Sequence, residues 1–297
     1  MKQKVVQMKL LLYGTPEYDA VKGEIQSQFS VIPSEQFDAP KAARSRIDYL
    51  KNFLKNSGRK AYILGISGGV DSSTVGRLCQ IACCELRGEG YQAQFIAMRL
   101  PAGVQRDEAD AQKALYFINP DKVLTVNVGE AATIMSTQGI DQFINAGSQP
   151  TVSQEDWLKG NIKARLRMIA QYQAAAFYEG LVVSTDMNSE FVMSFFTLHG
   201  DGASDVTVLG GLNKRQVRLV AKELGASNTI WNKISTADLE ELRPGKTDSE
   251  GFGFEYDYLD DFLEKKEIPF DVEVKIVNHF NNTRFKREGT PGFKDGQ

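Results

Sequence analysis

The chain carries a glycine- and serine-rich run, residues 64–73 (LGISGGVDSS), whose residue types suit anion binding. Its two glycines, Gly68 and Gly69, let the backbone approach an anion without a Cβ in the way. The hydroxyl donors of the run are Ser67, Ser72 and Ser73. Asp71 is out of place beside a phosphate unless it binds a cation, and Mg²⁺ prefers one or two carboxylates together with phosphate oxygens. The run therefore predicts a phosphate-binding loop with a magnesium site at Asp71.

The segments on either side of this run could position it. Residues 61–66 are apolar and predict a buried strand, and residues 72–86 follow with a helical pattern. A loop between a strand and a helix points backbone N–H groups and the positive end of the helix at a bound anion. Further buried strands are predicted at residues 94–100, 122–128 and 181–185. Further helices are predicted at residues 17–29, 42–56, 107–118, 129–146, 161–178 and 213–224, with two more after residue 256.

This alternation of strands and helices predicts an α/β fold, a doubly wound parallel sheet flanked by helices.

With 297 residues and a formal net charge of -3, the chain lacks the basic excess of a dedicated nucleic-acid-binding protein. It has no apolar run long enough for a membrane helix. The short apolar stretch at the N-terminus is interrupted by Gln7 and Lys9, which argues against a signal peptide. A cytoplasmic enzyme with no nucleic-acid or membrane partner is expected.

Cysteine and histidine usage limits the chemistry further. The three cysteines, Cys79, Cys83 and Cys84, fall in one predicted helix, where they are expected to be small packed residues rather than a disulfide framework or metal site. The two histidines, His199 and His279, lie in no recognisable nucleophile motif. A Ser-His or Cys-His hydrolase is therefore disfavoured.

Several segments resemble known families. Residues 67–72 (SGGVDS) resemble the SGGxDS pyrophosphate loop of the ATP-pyrophosphatases, which cleave ATP between the α- and β-phosphates. Segments that resemble bacterial NAD synthetases are FIAMRLPAGVQ at residues 95–105, KGNIKARLRMIAQY at 159–172, FFT and GDG within 195–202, LNKRQ at 212–216 and TADL at 236–239. Together, and in this order, these motifs are far more specific than any one of them. The resemblance implies a Rossmann-like, adenine nucleotide alpha hydrolase-like fold.

The resemblance also implies a two-step reaction. The nicotinate carboxylate of deamido-NAD attacks the α-phosphorus of ATP to give an adenylate and pyrophosphate, and ammonia then displaces AMP to give NAD. Mg²⁺ is the implied cofactor, and a homodimer is the implied assembly, with the dinucleotide bound partly across its interface. Free ammonia is the expected nitrogen donor, because a glutamine-using relative needs an amidase domain with a nucleophilic cysteine and no such segment is recognisable here.

Site residues follow from the resemblance position by position. The residues implied to bind ATP are Ser67, Gly68, Gly69, Val70, Asp71, Ser72, Ser73, Arg99, Thr185, Lys214 and Thr236. The implied catalytic residues are Asp71 and Lys214, and the implied metal ligands are Asp71 and Glu190. The residues implied to bind deamido-NAD are Arg165, Asp201, Asp205, Phe285 and Lys286. Simpler structural roles are a helix-start charge for Glu190, exposed helix charges for Lys214 and Arg165, a turn former for Asp201 and a helix cap for Thr236.

Several positions depart from the family pattern. Leu198 stands where the family commonly has a substrate-contacting lysine, and Phe285 replaces a histidine. Val70 replaces a glutamine, Ala102 a tyrosine, and residues 184–187 read STDM in place of GTDH. Loss of the polar groups at positions 198 and 285 could weaken binding of the dinucleotide phosphates, and the neighbouring His199 is a candidate to compensate. The departures leave open the same chemistry on nicotinate mononucleotide and a nucleotide-binding module without catalysis. A tRNA-modifying function is disfavoured, because this chain is acidic and shows no Cys pair for sulfur transfer.

The expected organisation is a single NAD synthetase domain over residues 1–297. Within it, residues 1–60 form N-terminal helices, residues 61–240 form the ATP-pyrophosphatase core, and residues 241–297 form a mobile loop followed by C-terminal helices. The loop at residues 102–105 and the polar, glycine-rich segment at residues 243–253 are the candidates to close over the site.

Overall fold

A five-stranded parallel sheet lies at the centre of the computed structural model, which describes residues 10–103, 108–237, 239–243 and 245–289. In chain order its strands are β1 (Ala61–Gly65), β2 (Gln94–Arg99), β3 (Lys122–Thr125), β4 (Gly180–Ser184) and β5 (Val206–Thr207). Across the sheet the order is β3-β2-β1-β4-β5, and every pairing is parallel. The chain therefore runs outward on one side of β1 and then returns to build the other side, which places a topological switch point between β1 and β4.

Helices connect and cover these strands. They are α1 (Pro16–Gln28), α2 (Ala39–Ser57), α3 (Val70–Gly88), α4 (Glu108–Ile118), α5 (Gly129–Asn145), α6 (Val152–Phe177), α7 (Asn188–Met193), α8 (Lys214–Glu223), α9 (Asn228–Trp231), α10 (Asp248–Phe252), α11 (Tyr256–Leu263) and α12 (Phe270–Asn282). Short 3₁₀ helices occur at Ser34–Gln36 and Arg284–Lys286. A small antiparallel pair joins β6 (Thr236–Ala237) to β7 (Lys246–Thr247).

The sheet is buried on both faces because residues alternate sides along each strand. On one side, Tyr62 and Leu64 of β1 pack with apolar residues of α2, α3 and α8. On the other side, Ile63 packs with Ile96 of β2 and with alanines of α6. A third apolar cluster joins α1, α7, α11 and α12, so helices from both ends of the described chain form one layer beside the sheet. The predicted doubly wound α/β sheet is confirmed.

Some helices and strands begin or end at residues other than those predicted, because capping or burial sets their ends. Helix α6 begins at Val152, nine residues before the predicted start at 161, because Thr151 and Gln154 form a reciprocal capping box. Strand β3 ends at Thr125 rather than at 128; it is the edge strand, and its residues are mostly exposed. The two-residue strands β5, β6 and β7 were not predicted, because so short a segment shows no periodicity.

The segment at residues 243–253 was predicted to be a loop, and that prediction was wrong for its second half. Strand β7 and helix α10 lie there, and α10 is nucleated by a capping box between Thr247 and Glu250. Residues 104, 105 and 107 of the predicted closing loop and helix start, and residue 244, lie outside the described residues. Within the described part of the chain, no helix is long and apolar enough to cross a membrane.

Candidate active site

A cavity of 310 Å³ opens at the carboxyl ends of β1, β2 and β4, next to the switch point in strand order. Its apolar wall comes from the strands themselves, including Leu64, Met98 and Val182. Its polar wall comes from the segments that follow the strands. The predicted ATP- and metal-binding residues on that wall are Ser67, Gly69, Val70, Asp71, Ser72, Arg99, Thr185, Glu190 and Thr236. The fold thus brings together residues that lie far apart in the sequence.

The glycine-rich loop is held by its own hydroxyl groups. The Ser67 hydroxyl accepts a hydrogen bond from the Gly69 N–H (3.2 Å) and lies 3.1 Å from the Ser72 hydroxyl. The Ser73 hydroxyl donates to the Gly69 carbonyl at 2.7 Å. Helix α3 begins directly after Gly69, so its N-terminus points at the cavity. This is the strand–loop–helix arrangement that binds phosphate through backbone N–H groups.

A glycine is needed at position 68 for a reason other than the predicted approach of an anion. Its φ is +85°, and a Cβ there would lie 2.7 Å from the backbone nitrogen of Ala111 in α4. Neither Gly68 nor Ser73 lines the cavity among the described residues. Gly68 is therefore required by the close approach of α4, and contact of these two residues with ATP stays a prediction.

Lys214 lies behind the cavity wall and not on it. Its Nζ is 2.7 Å from Asp71 Oδ2 and 3.9 Å from Glu190 Oε1, and the side chain is 1% exposed. The ammonium also lies 5.2 Å from the ring centre of Tyr256. Burial lowers the pKa of Lys214, but the charges of Asp71 and Glu190 outweigh burial and leave that pKa above its usual value. Lys214 is thus a buried cation that fixes the two carboxylates facing the cavity.

Negative charge exceeds positive charge around Lys214. Burial, with the charges of Asp71, Asp186 and Asp248, raises the pKa of Glu190 even though Lys214 opposes the shift. Burial and the charge of Asp201 raise the pKa of Asp186 to about 7. Burial raises the pKa of Asp248 to about 6. Such clustering of carboxylates with raised pKa values is typical of a functional site.

The donor atoms fit a magnesium ion shared with phosphates. Asp71 Oδ1 is buried and has no hydrogen-bond partner among the described residues, and Glu190 faces the same cavity. No group of three or more His, Cys, Asp or Glu side chains in that part of the chain is arranged to hold a metal alone. Mg²⁺ needs no such group, because it is commonly held by one or two carboxylates together with substrate phosphates and water.

Arg99 and Thr236, which line the same cavity, are each held by a structural partner. Arg99 ends β2, is 4% exposed, and donates hydrogen bonds to the Ile66 carbonyl and to Glu108 (2.8 Å). Thr236 is held by pairing with Thr247 of β7. Arg99 therefore braces the segment that leads into the glycine-rich loop.

A second cavity of 270 Å³ adjoins the first. The two share Phe195, Asp201 and Leu239, and the second adds Trp157 and Phe196. Its cation is Lys286, whose Nζ donates to the carbonyls of Ser194 (2.6 Å) and Phe196. Asp201 Oδ1 accepts the Thr197 N–H at 2.9 Å. The result is an aromatic chamber with one carboxylate at its junction with the first cavity.

The chain is similar to known proteins over most of its length. The NAD synthase family model matches residues 42–290. The chain belongs to the NAD synthase family. It is 47% identical over 272 residues to the NH(3)-dependent NAD(+) synthetase of Burkholderia cenocepacia, covering 91% of this chain and 94% of that protein.

Solved structures support the same membership. NAD+ synthetase from Burkholderia pseudomallei is 43% identical, with a TM-score of 0.76 over 92% of this chain and 98% of that one. NMN synthetase from Francisella tularensis is 28% identical, with a TM-score of 0.71 over 87% of this chain and 100% of that one. The predicted adenine nucleotide alpha hydrolase-like fold is confirmed.

Three residues that the NAD synthase resemblance assigned to deamido-NAD lie outside both cavities. Arg165 donates through Nε to the Leu198 carbonyl at 3.3 Å. Asp205 accepts the Val182 N–H (2.8 Å) and the Tyr172 hydroxyl (3.3 Å). The Phe285 side chain is 66% exposed. Their contact with substrate stays a prediction, whereas Asp201 and Lys286 do line the second cavity.

Other residues of this NAD synthase site were missed by the sequence reading. Asp248 and Lys233 both line the first cavity, and Lys233 pairs with Asp110 of α4 at 2.9 Å. Asp248 was passed over because it lies in the polar segment that was read as a loop. His199 is exposed with φ +58° and lines neither cavity, so it gives no sign of compensating for Leu198.

Proposed function

We propose that this chain catalyses the ATP-dependent amidation of deamido-NAD by ammonia, giving NAD, AMP and pyrophosphate. The observation that carries the proposal is the buried Lys214 holding Asp71 and Glu190 at the cavity, beside a glycine-rich loop that lies between a strand and a helix. Ammonia as the donor is supported by the Burkholderia cenocepacia relative, which is named for its dependence on NH₃. A cytoplasmic location is part of the proposal.

The first step needs stabilisation of charge on the triphosphate. The loop N–H groups and the N-terminus of α3 would bind the phosphates, with the adenine against the apolar wall of the first cavity. Asp71 and Glu190 would hold Mg²⁺, which, when bound, withdraws charge from the phosphate oxygens and aids the departure of pyrophosphate. Lys214 keeps both carboxylates in place and offsets part of their mutual repulsion. These residues therefore bind and orient ATP for attack at its α-phosphorus.

The second step needs ammonia to reach the adenylate and water to be kept away. The second cavity suits the nicotinate end of the dinucleotide, because its aromatic walls offer stacking surfaces for a flat ring. Its junction with the first cavity would bring the carboxylate of the substrate next to the α-phosphate. Asp201 at this junction is buried, and burial raises its pKa. Because Asp201 lines both cavities, its carboxyl would accept a proton that ammonia releases as it attacks.

We also infer a homodimer. Several large apolar side chains of α5 and α6 are exposed, and within α5 the buried side chain is Ala132. These exposed side chains, called here the α5–α6 face, are Ile134, Met135, Phe143, Ile144, Val152, Trp157, Ile169 and Phe177. An apolar surface of this kind is typical of a protein interface. Arg165 also belongs to α6, so a partner across this face would account for its position outside the cavities of its own chain.

The experiment is turnover by purified protein with ATP, Mg²⁺ and ammonium, comparing deamido-NAD with nicotinate mononucleotide. We expect AMP and NAD in equal amounts from deamido-NAD. Asp71→Ala should abolish both products, while Asp48→Ala, an exposed carboxylate paired with Arg44, should leave the rate unchanged. If only nicotinate mononucleotide is turned over, the substrate is the mononucleotide and not deamido-NAD. If neither compound gives AMP, the proposal is overturned.

A further inference from the structure

Asp260 in α11 is a buried carboxylate that reaches two other elements at once. Its side chain is almost completely enclosed, with the residue 2% exposed. Oδ1 accepts hydrogen bonds from the Lys214 N–H and from the Ser189 hydroxyl, both at 3.1 Å. Oδ2 accepts the Arg215 N–H at 2.8 Å. One carboxylate therefore joins the first turn of α8 to α7.

The two elements it joins carry the charged residues of the first cavity. Lys214 itself is the first residue of α8, and Ser189 directly precedes Glu190 in α7. The separation between the Lys214 ammonium and the Glu190 carboxylate, 3.9 Å, depends on how these two helices sit relative to each other. Asp260 contacts the backbone of one and the side chain of the other.

Helix capping alone does not require this arrangement. Asn213 already caps α8 through the Gln216 N–H at 2.9 Å, in a reciprocal capping box. Asp260 accepts from the N–H groups of Lys214 and Arg215, which precede the Gln216 N–H, and its negative charge lies at the positive end of the helix. The bond to Ser189, however, adds nothing to α8. It serves to connect α7 to the same carboxylate.

The element that presents Asp260 is itself firmly held. Leu259, Phe262 and Leu263 of α11 are buried in the third apolar cluster. Glu264, at the end of α11, accepts hydrogen bonds from the Asn213 side chain (2.8 Å) and the Ser34 hydroxyl (2.5 Å). A carboxylate on a fixed helix can impose its own geometry on its partners.

We propose that Asp260 is a positioning residue for the amidation reaction: it joins α7 to α8 and thereby fixes Glu190 and Lys214 at the spacing that the cation and the triphosphate require. The inference rests on the proposed function for its consequences in turnover. Misplacement of catalytic groups by about 1 Å is enough to lower a rate by about a hundredfold. Asp260 acts through Glu190 and Lys214 and does not touch the cavity among the described residues.

Two variants test the link. Asp260→Asn keeps the shape but replaces one acceptor oxygen by an NH₂ group, which faces N–H donors and cannot accept from them. Ser189→Ala removes only the hydroxyl bond to Asp260 and leaves the contacts to α8 intact. Asp261→Asn is the matched control, because it removes a charge from the next residue of α11, which binds the Arg215 side chain at 3.0 Å and not the helix backbone.

The measurements are kcat, KM for deamido-NAD, the free Mg²⁺ concentration at half-maximal rate, and Tm. For Asp260→Asn we expect kcat to fall by about tenfold or more, and the half-saturating Mg²⁺ to rise, with KM for deamido-NAD nearly unchanged. Ser189→Ala should raise the half-saturating Mg²⁺ with little change in Tm. Asp261→Asn should match the unmodified protein in all three kinetic values.

Calorimetric binding of ATP with and without Mg²⁺ separates this inference from the proposed function, because it needs no turnover. A weaker Mg²⁺-dependent component of ATP binding in Asp260→Asn and Ser189→Ala, but not in Asp261→Asn, supports the inference whatever the substrate proves to be. If both variants bind MgATP as the control does and differ from it only in Tm, Asp260 has a purely structural role and the inference is overturned.

Discussion

At the scale of single residues, the contact between Lys214 and Asp71 is the feature on which the site depends. The two side chains come from α8 and α3, 143 positions apart in the sequence, and meet at 2.7 Å with the lysine fully enclosed. A buried ion pair contributes little to stability by itself, but removal of one partner leaves the other charge buried and uncompensated. Asp71 would then stand beside Glu190 with no cation between them.

Lys214→Met should therefore destabilise the fold by about 3 kcal/mol and abolish turnover. Lys222→Met on the same helix, whose ammonium rests on the Trp231 ring, is the control and should cost less than about 1 kcal/mol. Urea unfolding and the NAD assay measure the two effects. Equal stability of the two variants would show that the pair is not energetically important.

The raised carboxyl pKa values predict how the site responds to pH. Asp186 (about 7), Asp248 (about 6) and Glu190 all bind protons more tightly in the fold than as free side chains. Protons thus compete with the cation, so the half-saturating free Mg²⁺ should rise as pH falls from about 8 to about 6. Without Mg²⁺ the sign for stability is the reverse: the folded chain binds more protons over this window, so the free energy of unfolding should increase as pH falls.

A magnesium titration at several pH values tests the predicted rise in half-saturating Mg²⁺ at low pH. Tm recorded without the metal tests the predicted rise in stability at low pH. Asp248→Asn is the informative variant, because it removes one carboxyl group with a raised pKa and should flatten both dependences. A half-saturating Mg²⁺ concentration that does not change with pH would contradict this account of the carboxylates.

Sequence reasoning at the residue scale found the groups whose chemistry shows in their local pattern. Asp71 is conspicuous in a glycine-rich loop, and Glu190, Asp201 and Lys286 followed from family motifs and do line the cavities. Asp248 and Asp260 were missed. Both are acids in polar or amphipathic stretches, and their burial is seen only in the folded structure.

At the scale of elements, the contact between the glycine-rich loop and α4 is decisive. Gly68 combines a positive φ with close approach to the backbone of Ala111, whereas Gly58 has a similar φ, +66°, and open space at its Cβ position. Substitution at Gly58 therefore measures the cost of positive φ alone, whereas substitution at Gly68 adds the cost of the steric contact.

Gly68→Ala should lower the free energy of unfolding by about 1–3 kcal/mol more than Gly58→Ala, because only the former pushes α4 away. It should also weaken ATP binding, since the loop lies on the cavity wall. Chemical denaturation and ATP calorimetry measure these effects. Equal losses in the two variants would mean that positive φ alone is the cost.

Only some of the helices and strands could be predicted from the pattern of apolar residues. Long helices and buried strands repeat their apolar residues often enough to be recognised, as in β1 and α3. Strands of two residues, such as β5 and β6, exist only because a neighbour supplies hydrogen bonds. The early start of α6 was visible in the Thr151–Gln154 pair, a local signal that the apolar pattern alone did not include.

At the scale of the whole molecule, the layer formed by α1, α7, α11 and α12 connects the ends of the described chain to the site. Leu11 is bound through both its N–H and its carbonyl to the side chain of Asn278 in α12. The same layer contains α7, which carries Glu190, and α11, which carries Asp260. The terminal helices therefore support the cavity wall, a role that no local sequence pattern indicated.

The α5–α6 face predicts the assembly. Met135→Glu would place a charge at its exposed position on α5 and should shift a homodimer toward monomers. Sedimentation of this variant beside Tyr116→Glu on α4 measures the assembly, and Tyr116→Glu is the control because it replaces an even more exposed apolar side chain outside this face. Tyr116→Glu should leave the assembly unchanged. A monomer before mutation would contradict the inferred homodimer.

The adenylate is the central claim, and the fate of the substrate's carboxylate oxygen tests it most directly. Deamido-NAD labelled with oxygen-18 in the nicotinate carboxylate should transfer one labelled oxygen to AMP, because that oxygen attacks the α-phosphorus and leaves with it when ammonia displaces AMP. Mass spectrometry of AMP, pyrophosphate and NAD reads the result. Label in AMP and none in pyrophosphate is predicted; unlabelled AMP would contradict the account.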